Sequence, residues 1–405
     1  SDINTIWKGY GWDVKEIQDA HNLEKILEAY NWANEKGKKP KLIIANTEKG
    51  KGIPGNLEHY SGYHTVNTAK QEDLDSAILN YEEVTKAVDI SSILSKLRKS
   101  VPLPKSVKSL DDLEILNSPL DLKMNKKEYA HLLEGLVDYF QQLNKDFSTR
   151  PENLYVLTAD IIRKELTPVL GLDTPSTTFI DTGIREQHLT AMAHGISNTD
   201  EKSKVLIDVG EEFLYRNADQ LNVLSQAKSP VVILGNMGGI CGSKNGPTHQ
   251  PSGQSGMLTL MPGMKCLEPS DVTDLFNSLN FAFSNTSSPT YIRMHSAPMA
   301  KIEDNISRNL SYYTIKDSEN PEITLIGNGL TLKGCSEAYD LLNKQGIASR
   351  VINIIDRKSL DENFVGLLQH NKPVLTMYNG NADSLSYPVS YAIMNSNSRY
   401  KPSRV

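Results

Sequence analysis

Apolar strand-like runs alternate with amphipathic helical stretches along this chain, and this alternation is the strongest constraint on its fold. Helical spacing of apolar residues in 19–39 precedes the run PKLIIANT. Five more runs follow between residues 154 and 294: LYVLTAD, TTFIDTG, KVLIDVG, SPVVILG and PTYIRM. Continuous apolar runs between helices are typical of parallel strands with both faces covered. We therefore predict an α/β fold with mostly parallel sheets covered by helices on both faces.

Three α/β units follow one another along the chain. Residues 99–124 are rich in Pro, Ser and Lys, and they predict a linker between a first domain, residues 1–98, and a second, residues 125–300. The alternation continues in a third domain, residues 301–405, with predicted strands at ITLIGNG, SRVINII and PVLTMYN. This domain stops soon after its next predicted helix, which is early for a finished sheet.

Composition excludes several classes of protein. Hydrophobic residues at 39% and charged residues at 23% are typical of a soluble globular protein. A net charge of −6 provides no broad basic surface for nucleic acid or an anionic membrane. Cys241, Cys266 and Cys335 are far apart and favour a reducing compartment. Because no apolar run reaches the ~18 residues of a membrane span, we expect a cytoplasmic protein without nucleic acid or membrane partners.

Glu186 lies in the segment GIREQHLTAMAHGIS, where most of its neighbours are small and apolar. The strand FIDTG precedes it, so Glu186 is expected in the first turn of a helix, where a carboxylate interacts favourably with the helix dipole. On these residues alone, the favoured interpretation is an acid that stabilises the start of a helix.

The second domain contains four short polar elements in sequence order. TADI contains Asp160, GIREQH contains Glu186, and EEFLYRNADQ contains Phe213 and Arg216. A glycine-rich turn ending in THQ contains His249. Each element alone is a weak signal, but together and in this order they resemble the family of thiamine diphosphate-dependent transketolases and 1-deoxy-D-xylulose 5-phosphate synthases.

The resemblance covers nearly the whole chain and implies a three-domain transketolase-like fold. The segments YGWDVKEIQDAHNLEKILEAY and KPKLIIANTEKGKGIP resemble the diphosphate-binding domain, and GYHTVN places His64 in an active-site loop. Residues 1–98 would then be the remainder of that domain. Residues 125–300 would be the pyrimidine-binding domain, and residues 301–405 the transketolase C-terminal domain.

The resemblance also implies roles for individual residues. Glu186 would contact N1′ of the thiamine pyrimidine, and Phe213 would stack on that ring, with an ordinary core residue as the alternative for Phe213. Asp160 would contact the cofactor, with a strand-end cap as the alternative. His64 and His249 would move protons or bind oxygens of the donor, since imidazole titrates near neutral pH.

Two arginine positions expected to bind substrate phosphate are changed. Family members that act on sugar phosphates carry an arginine where Met237 stands in GNMGGI. YIRMHSAP keeps Arg293 but has His295 and Ser296 where a further arginine is expected. Because charge-assisted contacts to phosphate are lost, we expect a substrate other than a standard sugar phosphate. Arg216 and Arg293 remain predicted substrate contacts, with Arg216 also near the cofactor.

The family's Gly-Asp-Gly…Asn element, which binds the diphosphate and Mg²⁺, has no counterpart in these 405 residues. We expect the metal ligands outside this chain, on a partner chain or in a segment not included in the sequence. Since family members hold the cofactor between two subunits, we expect a homodimer or a heterotetramer with a chain that supplies the missing half-domain.

These features together predict a transferase that uses thiamine diphosphate and Mg²⁺. It would move a two-carbon ketol or acyl unit from a ketose or 2-oxo acid to a small-molecule or carrier-bound acceptor. Two alternatives stay open: a conventional transketolase or deoxyxylulose phosphate synthase, and a non-catalytic transketolase-like subunit that binds or regulates a partner.

Overall fold

The computed structural model describes residues 2–48, 129–145, 153–160, 177–199, 203–240, 246–303, 305–368 and 372–396. They fall into two units, one comprising the described residues up to 48 and the other those from 129 onward. Several sequence predictions lie outside the described residues: His64, Cys241 and the linker 99–124.

The first unit is a parallel strand pair with two helices. Its elements are α1 (Ile3–Gly9), β1 (Asp13–Ile17), α2 (Leu23–Asn34) and β2 (Lys41–Ala45). The Asn22 side chain accepts a hydrogen bond from the Lys25 N–H and caps α2, which begins at Leu23, the first of the apolar residues at helical spacing. The predicted strand in PKLIIANT is confirmed as β2, which pairs in parallel with β1.

A six-stranded parallel sheet forms the centre of the second unit. Its strand order is β5-β4-β6-β7-β9-β8, and every pairing is parallel. The five predicted strands are confirmed, whereas β8 was not predicted because three residues carry no readable pattern. The strands are β4 (Asn153–Thr158), β5 (Thr177–Asp181), β6 (Ser203–Gly210), β7 (Val231–Gly238), β8 (Lys265–Leu267) and β9 (Thr290–His295).

Helices cover both faces of this sheet, as predicted. On one face, α3 (Leu132–Lys145) and α7 (Val272–Ser284) contribute Leu136, Phe140 and Leu275 to a buried cluster. The other face carries a second cluster, with helices α4 (Glu186–Ser197), α5 (Ala218–Gln226) and α6 (Gln254–Leu260). Within the described ranges, none of the helices has the length and apolar character that a membrane crossing requires.

The last part of the chain builds a four-stranded sheet in the order β11-β13-β12-β14. The unpredicted edge strand β11 is antiparallel to β13, and the other pairings are parallel. Apolar residues of this sheet join the same buried cluster as α3 and α7, so the two sheets share a core. The elements are β3 (Tyr129–Ala130), β10 (Met299–Ala300), β11 (Tyr312–Asp317), β12 (Ile323–Gly327), α8 (Thr331–Lys344), β13 (Ser349–Ile354), α9 (Glu362–Gly366), β14 (Val374–Thr376) and α10 (Asp383–Asn395).

A buried ionic cluster also joins the two sheets. The Arg293 side chain on β9 is 1% exposed, and its Nε donates to Glu211 Oε2 at 2.9 Å. Its Nη1 donates to Glu268 Oε1, and its Nη2 donates to the carbonyl oxygen of Asn379, both at 2.9 Å. Arg357 lies behind Glu268, 3.8 Å from Oε2. Each buried charge therefore has an opposite charge or a hydrogen-bond partner, as burial requires.

The charge of Glu268 follows from this packing. Burial alone would raise the pKa of its carboxyl group, but Arg293, His295 and Arg357 hold that pKa well below its ordinary value. Glu268 is thus a buried anion that two arginines compensate.

We expect Arg293→Met to lower the free energy of unfolding by about 3–5 kcal/mol, because Glu211 and Glu268 would remain buried without their partner. Urea denaturation measures this change. The matched control is Lys316→Met, which removes a partly exposed pair with Asp340 and should cost less than about 1 kcal/mol. Equal losses in the two variants would contradict a special role for the buried cluster.

The same cluster predicts a dependence of stability on pH. The pKa of Glu268 in the folded protein lies below its ordinary value of 4.5, so its stabilising contribution is complete above that pH and is lost in acid. The free energy of unfolding should therefore exceed that of Glu268→Gln by a constant amount at neutral pH. This difference should shrink as the pH falls below about 4.5. A difference that grows in acid would show that the pKa is raised.

Candidate active site at the carboxyl ends of the central strands

The loops after β4 and β5 are tied together by one carboxylate. Asp160 follows β4 with φ of 59°, and its N–H donates to Oδ1 of Asp181 at 2.9 Å. The Gly183 N–H donates to the same oxygen at 2.8 Å. Gly183 has φ of 65°, a conformation that glycine adopts without strain. This arrangement ends the strand and directs the chain into α4.

Glu186 is the first residue of α4 and is 3% exposed. Its Oε1 accepts a hydrogen bond from Arg216 Nη1 at 2.7 Å, and the Arg216 side chain is 52% exposed. Within the described residues, Oε2 of Glu186 has no hydrogen-bond partner. Glu186 therefore lies in the first turn of a helix, as the sequence predicts. Its carboxylate is far more buried than that of an acid that only stabilises a helix start from the solvent.

Phe213 and His249 lie beside this ion pair. Phe213 is in a 3₁₀ helix, Glu211–Tyr215, directly after β6. Its ring meets the His249 imidazole edge to face, with centroids 5.3 Å apart. The Arg216 guanidinium carbon lies 4.7 Å from the centroid of the Phe213 ring. The structure therefore brings together Glu186, Arg216, Phe213 and His249, which the sequence placed in three separate elements.

Two other predicted residues are arranged differently. Asp160 lies at the end of the adjacent strand β4, and its backbone is fixed by Asp181. Arg293 is buried in the ionic cluster, where Nε, Nη1 and Nη2 all donate to protein acceptors. This geometry gives the Arg293 guanidinium a structural role and does not support its predicted contact with substrate.

Sequence reasoning missed a polar contact that braces the helix of Glu186. Asn217 is fully buried, and its Nδ2 donates to Thr190 Oγ1 at 2.7 Å. The Thr190 hydroxyl donates in turn to the carbonyl oxygen of Glu186 at 3.1 Å. The sequence offered one signal of this contact: Asn217 directly follows Arg216 in the element RNADQ.

Met237 adopts a conformation that the sequence does not signal. Its φ is 56°, which is uncommon for a residue with a side chain. The pairing of β7 with β9 shifts register between Gly235 and Gly238, around this residue. A Cβ atom on Gly210 would lie 3.0 Å from the Phe213 ring and 3.1 Å from Met237 Cε. Glycine at this position thus allows Met237 and Phe213 to pack on the same stretch of backbone.

Among the residues that the structure describes, no three His, Cys, Asp or Glu side chains are arranged to hold a metal ion.

Comparisons with known proteins match three transketolase domains in order along the chain. The thiamine diphosphate binding domain matches residues 1–79, the pyrimidine binding domain residues 137–299 and the C-terminal domain residues 313–396. Transketolase-like protein 2 from Homo sapiens is 25% identical over 357 residues, which are 87% of this chain and 54% of that protein. Human transketolase is 24% identical over 361 residues, with coverage of 88% and 54%. This chain therefore spans about half the length of these relatives.

Solved transketolase structures share the fold. The transketolase from Campylobacter jejuni has a TM-score of 0.57 and 17% identity, covering 96% of this chain and 63% of its own. A structure described as a split gene transketolase, an inactive beta4 tetramer, has a TM-score of 0.50 and 18% identity. That comparison covers 65% of this chain and 98% of the tetramer's chain. The predicted fold class is confirmed, and with three domain matches in order the chain belongs to the transketolase family.

Proposed function

We propose that this chain takes part in thiamine diphosphate-dependent transfer of a two-carbon unit. The donor would be a ketose or a 2-oxo acid, and the acceptor would differ from a standard sugar phosphate. The observation that carries the proposal is the buried Glu186 carboxylate at the start of α4, next to Phe213 and His249.

The residues at this site fit a thiamine pyrimidine. Oε1 of Glu186 is held by Arg216, which leaves Oε2 to bond a ring nitrogen, and Phe213 provides an aromatic surface for the ring. When bound, thiamine diphosphate supplies a carbon nucleophile that breaks and makes bonds next to a carbonyl group. Asp160 and His64 remain predicted contacts, and we propose that Mg²⁺ is held by ligands other than the described residues.

The remaining residues would act on the substrate. His249 is partly exposed beside Phe213, where an imidazole can move protons at neutral pH. Arg216 is half exposed and anchored by Glu186, so its free face suits an anionic group of the donor, such as the carboxylate of a 2-oxo acid.

The substituted phosphate positions support an acceptor without phosphate. Met237 brings no charge. His295 engages both ring nitrogens within the protein, Nδ1 with the Gly238 carbonyl oxygen at 3.1 Å and Nε2 with Glu268 Oε1 at 3.0 Å. His295 therefore has no ring nitrogen left for a phosphate group.

We further propose that the active assembly contains a second chain, either another copy or a distinct subunit. The solved structure described as a split gene transketolase supports this proposal, because it is an assembly of four chains that is described as inactive.

The buried free thiols of Cys266 and Cys335 fit a reducing compartment such as the cytoplasm.

Glu186→Gln should abolish tight binding of thiamine diphosphate in the presence of Mg²⁺, and it should lower transfer activity by about 10²–10⁴-fold. An amide in place of the carboxylate cannot support the protonated ring nitrogen. Calorimetric titration of the purified chain with any copurifying partner measures the binding. Glu337→Gln, on the surface of α8, is the matched control and should change neither quantity.

Binding equal to wild type in Glu186→Gln would argue against the proposed role of this carboxylate. If the wild type with its partner binds no cofactor, the non-catalytic subunit becomes the better explanation.

Met237→Arg should shift the preference between glycolaldehyde and glycolaldehyde phosphate toward the phosphorylated acceptor by about tenfold or more, since a charge-assisted contact contributes roughly 1.5–3 kcal/mol. The ratio of kcat/KM values for the two acceptors measures the shift. Met394→Arg adds the same charge on an exposed face of α10 and should leave the ratio unchanged. A wild type that already prefers the phosphate, together with an unchanged ratio in Met237→Arg, would indicate a conventional transketolase.

A further inference from the structure

A cavity of about 680 Å³ opens between the start of α3 and the carboxyl ends of β7 and β9. Leu133 and Val137 line it from the helix, and Met237 and Met294 line it from the strands. Its volume is within the range of small-molecule sites. The wall is mainly apolar, and two of its four apolar side chains are methionines, which adapt to ligands of varied shape.

The charged residues of this cavity disfavour an anion. Glu134 and Asp138 are exposed on its rim, and no lysine or arginine is among the described residues that line it. Of the two histidines, His295 is already bonded through both ring nitrogens, and His131 Nδ1 lies 3.2 Å from the Ser296 carbonyl oxygen. A phosphate group would meet carboxylates here without a cation to bind it.

Met237 connects this cavity with the candidate active site. Its side chain lines the cavity, and its Cε lies against the backbone of Gly210, on which the Phe213 ring also packs. The left-handed backbone at Met237 and the register shift in β7 place this side chain between the two regions. Strained conformations of this kind are often retained at functional sites.

We propose that the cavity beside Met237 binds an uncharged, apolar part of the acceptor, such as an alkyl chain or a ring. This inference rests on the proposed transfer function, and it specifies the class of acceptor that this function requires. Met237 then determines specificity, because a thioether stands where a cation would be needed for phosphate.

The test fills the cavity and measures binding separately from activity. Val137→Trp places an indole in the cavity from the α3 side, and Leu133→Phe does so from the preceding turn of the helix. Leu341→Trp is the matched control, because Leu341 is exposed on α8 and does not line the cavity. The probes are 1-hexanol for binding, observed by ligand-detected NMR, and hexanal and glycolaldehyde as long and short acceptors.

Wild type and Leu341→Trp should bind 1-hexanol alike, whereas Val137→Trp and Leu133→Phe should bind it about tenfold or more weakly, since the added ring occupies space that the alkyl chain would fill and even one methylene excluded from an apolar pocket costs about tenfold. The KM for hexanal should rise in the two cavity variants while the KM for glycolaldehyde stays constant. If the circular dichroism spectrum of either cavity variant matches that of the wild type, the loss of 1-hexanol binding is local to the cavity.

The two proposals fail in different ways. If 1-hexanol binds and the cavity variants weaken it, but no chain transfers a two-carbon unit, the cavity is supported and the transfer function is wrong. If transfer occurs but 1-hexanol does not bind, or hexanal and glycolaldehyde respond equally to the cavity variants, the apolar acceptor site is wrong.

Discussion

The buried guanidinium of Arg293 is the contact on which the arrangement of the site depends. It binds Glu211, the first residue of the 3₁₀ helix that carries Phe213. Oε2 of Glu211 also accepts from the Gly239 N–H at 3.2 Å, just beyond Met237. A single arginine therefore fixes the two segments that shape the pocket. Burial of these charges is costly, so each of them depends on the partners that hold it in place.

A second, smaller set of hydrogen bonds positions Glu186. The Asp181 carboxylate accepts two backbone N–H groups from consecutive loops, which orients the start of α4. Asn217 and Thr190 then support the first turn of the helix from within the core. Glu186 is thus held by backbone and buried polar contacts, and among the described residues Arg216 is the one that bonds its carboxylate from the solvent side. Such support from fixed groups is what a precise binding site needs.

The sequence was sufficient for the features that depend on local patterns. The parallel strands and the helix that begins at Glu186 follow from short segments, whereas the grouping of Phe213 with Arg216 followed from the family resemblance. Arg293 could not be assigned in this way, because its partners Glu211 and Glu268 are distant in the sequence and meet it only through the sheet. The same holds for His295, whose ring nitrogens are engaged by Gly238 and Glu268. Short strands such as β8 were missed because tertiary pairing, rather than local pattern, defines them.

Charge balance links the ionic cluster to the choice of substrate. An arginine at position 295 would lie next to Glu268, whose charge is already compensated by Arg293 and Arg357. The added cation would be buried with too few anions, and burial of an uncompensated charge is strongly unfavourable. Unlike arginine, histidine does not have to carry a positive charge, and its neutral form donates one hydrogen bond through either ring nitrogen. An arginine could therefore not be placed at position 295 without rebuilding the contact between the two sheets, so on the proposed function the lack of a phosphate contact at this position is tied to the packing of the ionic cluster.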